Sequence, residues 1–204
     1  MNKPLALLVG TFLFLAACGR EGDAPAARQT PPATRSATIQ VEGETDTVTV
    51  QSYESPPDAP LAFSTSLPAG MRPEAVAETG SAVKFISEAD PRAWVHVFIH
   101  PPEQPEDQAR EDVRAVAESY GVPGVGEVEP SERYPWAIAE FRFRSRGTTA
   151  PTLAGSVALG RHAGRFFHII VQYPVEFGDG FVPRAQRILD EWRWRDTGEP
   201  LTAR

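Results

Sequence analysis

"LAGSVALGRHAGRFFHIIVQYP", residues 153–174, decides the fold. Two extended runs, 153–162 and 165–173, flank "GRHAGR", where Gly160 and Gly164 support a short connection of the hairpin kind. Phe166, Phe167, Ile169, Ile170 and Val171 make the second run apolar on both faces, and Pro174 ends it.

Outward from this hairpin the same signals recur. "WAIAEFRFR", 136–144, reads as a strand, as do "AVKFIS", 82–87, and "AWVHVFIH", 93–100, joined by a turn around Asp90-Pro91. "LAFSTSLPAG", 61–70, is a strand closed by Pro68 and Gly70, and Pro73 is expected to open a short helix through Glu74 to Glu78. The clearest helix lies in 104–121. Pro105 suits its first turn, Glu106 and Asp107 favour the positive end of its dipole, and Gly121 stops it. Its apolar stripe is Ala109, Val113, Val116, Ala117 and Tyr120. A closing helix is expected with Asp179 as its cap and Pro183 in its first turn, its stripe made of Phe181, Ala185, Ile188, Leu189 and Trp192. Residues 37–53 alternate Ile39/Val41 and Val48/Val50 around 43–46, which predicts a hairpin, either an added edge of the sheet or a partly ordered strap. The order of elements predicts an α+β domain over 61–195: an antiparallel β-sheet of about six strands packed on two main helices. A tail follows at 196–204, and a Pro-rich linker, 54–60, precedes the domain.

The chain starts differently. Lys3 precedes an apolar run from Leu5 to Ala17, and thirteen helical residues would span roughly 20 Å against about 30 Å of hydrocarbon. That is a signal-peptide layout over 1–17. Leu15-Ala16-Ala17-Cys18 holds the only cysteine of the chain and resembles the lipobox of bacterial lipoproteins. The resemblance implies cleavage before Cys18 and lipidation of its thiol, so the membrane is the first expected partner. Two or more acyl chains, at about 0.8 kcal/mol per buried CH₂, hold firmly. Residues 18–36 lack apolar periodicity and are expected to form a disordered tether with a typical reach of roughly 25 Å. The expected location is the cell membrane or outer membrane, with the domain facing the periplasm or the exterior.

The opening "FSTSLPAG", the central helix, the late hairpin and the C-terminal amphipathic helix are similar to PsbP-type domains, a family of α/β/α sandwiches that includes many bacterial lipoproteins. The likeness spans about 61–195 and rests on element order. It implies the fold and carries no functional residue.

Charge and motifs narrow the chemistry. The formal charge is −7, and loss of Lys3 leaves 19 basic residues against 27 acidic, a poor match to nucleic acid. His96 and His100 are four apart in a strand, roughly 13 Å distant, too far to share one metal ion. No cluster offers the three or four convergent ligands of a zinc site, so neither metal nor cofactor is expected. Ser156, in "AGSVALG", lacks the glycine of a nucleophile elbow, and "GVPGVGE", 121–127, lacks a phosphate-loop lysine. His168 reads as a hydrogen-bonded core histidine. One constellation has a functional reading as well. Strand parity puts Glu140, Arg142 and Arg144 on one face of their strand, while Trp94, His96 and His100 share a face of another, and His168 and Gln172 share one of a third. Should these faces coincide, His96, Glu140, Arg142 and His168 would line a polar groove for a small ligand.

The expected function is therefore a membrane-anchored, non-catalytic envelope lipoprotein that binds a partner protein or supports an assembly. The alternative is a module that binds a small ligand on a polar face of its sheet.

Overall fold

The computed structural model describes residues 33–76, 81–120, 126–128, 133–145 and 151–201. The expected signal peptide, the lipobox-like Leu15–Cys18 and most of the expected tether lie outside the described residues. The domain is α+β and mostly sheet. Its strands are β1 (Thr34–Val41), β2 (Glu44–Glu54), β3 (Phe63–Pro68), β4 (Met71–Glu74), β5 (Ser81–Ser87), β6 (Trp94–Ile99), β7 (Ala139–Arg144), β8 (Leu153–His162), β9 (Arg165–Pro174) and β10 (Arg193–Trp194). Helix α1 (Glu106–Glu118) separates β6 from β7, and α2 (Gly178–Asp190) follows β9. The strands form two antiparallel sheets, one ordered β4-β5-β6-β9-β8-β7 and one ordered β1-β2-β3-β10.

Pairing within the larger sheet fixes what each face carries, since directly opposite residues share a face. Val95, Val97, Ile169, Val171 and Ala158 lie on one side and pack with Phe181, Ala185, Ile188 and Leu189 of α2 and with Phe63 and Leu67 of the smaller sheet. Phe141, Phe143, Val157, Leu159 and Ile170 lie on the other side, under Ala109, Val113 and Ala117 of α1. The two helices therefore cover opposite faces. Trp192, just past α2, is fully buried and stacks on Phe63 at 3.6 Å between ring centroids. The Thr65 hydroxyl donates to the Ile188 carbonyl at 2.5 Å, tying β3 to α2.

Several expectations needed correction. The single sheet of about six strands is joined by a second of four, because the 37–53 hairpin is ordered as β1 and β2 and pairs through β2 with β3. β1 begins at Thr34, so the last residues assigned to the tether belong to the sheet. The helix expected to open at Pro73 is not there: Met71–Glu74 is edge strand β4, where a proline costs no ladder bond on its open side. Residues 77 and 78, the rest of that expected helix, lie outside the described residues. Phe177 rather than Asp179 precedes α2, and Asp179 sits in its first turn. Trp194 is buried in β10.

Both long hairpins turn through paired left-handed residues. Glu42 and Gly43 have φ of 52° and 84°, and Ala163 and Gly164 have 47° and 77°. This is the primed turn whose twist matches its strands, and an alanine in its first position is strained. Gly160 meets a different demand: a Cβ there would lie 2.4 Å from the Phe167 ring and 2.9 Å from Trp136. Ala163→Asn is expected to raise stability by up to about 1 kcal/mol, and Gly160→Ala to lower it by about 1–3 kcal/mol. Denaturant unfolding of the two variants beside the parent would check both signs.

Candidate functional site

Three of the four histidines gather on the α1 side of the larger sheet. His96, His100 and His168 are all buried, and Phe98 stacks on His168 at 4.8 Å between centroids. His168 Nδ1 lies 2.9 Å from His100 Nε2, and His100 Nδ1 lies 3.3 Å from Gln104 Oε1. Gln104 Nε2 in turn donates to Asp112 Oδ2 at 2.6 Å. The Asp112 carboxylate only accepts, which orients the Gln104 amide and makes His100 Nδ1 the donor to it. His100 Nε2 is then an acceptor, and His168 Nδ1 must donate. The chain runs from the core to the surface with both imidazoles neutral. Burial first, and then the neighbouring His100 and His96, push the His168 pKa well down; burial also lowers that of His100, against Gln104 and Asp112.

The groove expected from strand parity does not exist as a single site. Register pairs Arg142 with Ser156 and Ser156 with Val171, while His168 pairs with Phe98 and Leu159. Glu140, Arg142 and Arg144 thus lie on the face toward α2, and His96 and His168 lie on the face toward α1. Sequence parity groups residues within a strand; the strand order that decides between faces is not local. Trp94, His96, His100, His168 and Gln172 do share one face, but it is closed. Gln172 donates to the Arg92 carbonyl at 2.9 Å, and Lys84 sits 4.2 Å over the Trp94 ring.

An open site lies on the other side. Beyond the apolar packing, the β7–β8 end of the α2-side face becomes polar, and with α2 and the edge of β1 it encloses a groove of about 700 Å³. Four arginines line it: Arg142 and Arg144 from β7, Arg187 from α2, and Arg133 from the segment before β7. Asp190 is the one carboxylate among its described lining residues. Ile39, Ala154, Tyr173, Val182 and Pro183 supply apolar wall, and a second hollow of about 420 Å³ continues past Arg144, Tyr173 and Val182.

The arginines are held unequally. Glu140, with no exposed surface, accepts from Arg142 Nε at 2.8 Å, and this bond raises the Arg142 pKa. The Arg142 side chain is still 52 % exposed, so one edge of its guanidinium is fixed and the rest reaches solvent. Arg187 pairs with Glu191 at 2.5 Å, and Glu191 also binds Arg35 of β1. Burial raises the Glu191 pKa, but Arg35 and Arg187 together hold it below the usual value. Arg187 Nε is buried without a hydrogen-bond partner. Arg133 lies over the Tyr134 ring at 5.3 Å, and neither it nor Arg144 has an ion pair among the described residues. Of these four, sequence reasoning singled out Arg142 and placed Arg144 on its face. Arg187 and Arg133 carried no local signal, since they reach the groove only through tertiary packing.

Among the described residues, no three histidines, cysteines or acids converge as metal ligands, and no helix is long and apolar enough to cross a membrane. No family model matches the chain, and no curated protein matches it.

The neutral histidine pair sets a pH dependence. Below about pH 6.5 the unfolded chain takes up protons that the folded imidazoles refuse, so folding stability must fall as pH drops through this range. Chemical denaturation between pH 7.5 and 5.5 should show that decline, and His168→Gln should flatten it.

Proposed function

We propose that this chain is a lipid-anchored, non-catalytic envelope module whose domain binds a small ligand in the arginine-lined groove. The groove itself carries the reading: at about 700 Å³ it falls in the usual range for ligand sites, and polar groups from three elements converge on an apolar wall. Arg142 is preorganised by a buried carboxylate, which lowers the cost of ordering it around a guest. Anchoring rests on the lipobox at Cys18. The helices on opposite faces of the larger sheet support the likeness to PsbP-type α/β/α sandwiches.

Ligand binding takes precedence over partner docking on a specific observation. Among the described residues, Val175, at 36 %, is the only exposed large hydrophobic side chain, which favours the groove over an apolar docking patch.

Native mass spectrometry on protein gently extracted from its own membrane should show an added mass of a few hundred daltons beyond the acyl chains, lost in Ala154→Trp, which fills the groove. A protein-sized addition would favour the partner reading instead, and a bare lipidated monomer would count against both. Cys18→Ser should move the protein to the soluble fraction; unchanged membrane retention would remove the anchor from the proposal.

A further inference from the structure

The groove has the opposite sign to its protein. The chain carries −7 overall, yet the described lining has four arginines against Asp190. With the two carboxylates behind them counted as well, Glu140 and Glu191, the site keeps a net positive charge. Those two carboxylates also have a geometric effect. Each occupies part of one guanidinium and leaves other N–H groups of the planar fork unassigned, which is how arginine is prepared for bidentate recognition of an oxyanion. The buried, unpartnered Nε of Arg187 is a donor without an acceptor, in a place where that deficit is costly. Arg133 and Arg144 add two charges that no described carboxylate neutralises. Tyr173, Val182 and Pro183 line both this groove and the adjoining hollow, which also carries Arg144, Glu42 and Asp179, so apolar wall borders the charged groups on both sides of Arg144.

We propose that the groove takes a small organic oxyanion, a carboxylate or phosphate on an apolar body, with Arg142 and Arg187 holding the anion and Tyr173 and Val182 bordering the body. This rests on the groove being the binding site, and it adds the class of ligand. An anion offsets the local positive charge, which a neutral or cationic guest of the same size does not. Recognition is electrostatic and charge-assisted, so it weakens as salt screens the more exposed arginines.

Calorimetric titration of the lipidated full chain in a non-ionic detergent tests this with four probes of similar size: phenyl phosphate, phenylacetate, benzyl alcohol and benzylamine. The two anions should bind saturably and at least about tenfold more tightly than the alcohol or the amine, as one charge-assisted hydrogen bond provides. Inorganic phosphate, without the apolar body, should bind more weakly than phenyl phosphate. Arg142→Gln and Arg187→Gln should each weaken anion binding about tenfold or more, whereas Arg72→Gln, a change to an exposed ion pair on β4, should not. Melting curves identify any variant that fails to fold, and the two groove variants serve as independent tests of one another. Equal or tighter binding of benzyl alcohol or benzylamine, abolished by Ala154→Trp, would overturn the anion class while leaving the groove as the site. A loss in Arg72→Gln as large as in Arg142→Gln would reduce the effect to general charge and overturn the proposal. If no probe binds in a way that Ala154→Trp removes, and no ligand mass accompanies the native protein, the groove reading falls with it.

Discussion

β9 is apolar on both sides, and the rest of the domain is arranged to keep both sides dry. Phe167, Ile169 and Val171 point one way, Phe166 and Ile170 the other, and all are buried. A strand of this kind is stable only with a layer on each face of its sheet. Helix α1 supplies one layer. The other is shared by α2 and the small sheet, locked together where Trp192 stacks on Phe63. Removing either cover would expose side chains each contributing on the order of 1.5–3 kcal/mol by burial.

The same constraint sorts the polar residues. On the α1 side, His100 and His168 are drawn into the core and satisfy one another in a directed chain ending on Asp112. The α2 layer covers its own face only in part. At the β7–β8 end the sheet continues past the apolar packing, and the residues there are arginines and a small Ala154 rather than large hydrophobics. A groove is the result of a cover shorter than the sheet beneath it. Glu140 marks the border: it is fully buried like a core residue, yet its carboxylate serves an arginine that reaches solvent.

What could be read in the sequence follows the range of each signal. The late hairpin, α1 and the stripe of α2 are written in periodicities of two and 3.6 over ten or more residues, and they stand as expected. Short elements were less legible. Pro73 is equally at home in a first helical turn and on an edge strand, and only the pairing of β4 with β5 decides between them. The two-residue β10 has no period to detect. The candidate site shows the same limit more sharply. His96, His100 and His168 were rightly placed on shared faces within their strands, but Arg142 was assigned to their company without knowledge of strand order. One intervening strand, β8, hands Arg142 to the face of Val171 and Phe141 to the face of Ile170. Arg187 and Arg133 were invisible because only tertiary packing brings them to the groove.

β1 is at once the first strand of the domain and a wall of the groove, with Thr38, Ile39 and Gln40 bordering the cavity. It is also an edge strand, held on one side by β2 and at its start by the Arg35–Glu191 pair. Any mechanical load arriving along the chain from its N-terminal side enters the fold at Thr34, in line with this strand. The first contacts to feel such a pull are Ala33 and Thr34 against Ser52 and Gln51, followed by Arg35 on Glu191, the residue that also holds Arg187. A guest in the proposed site would then act on the same few bonds as tension, and would stiffen the point where the domain is pulled.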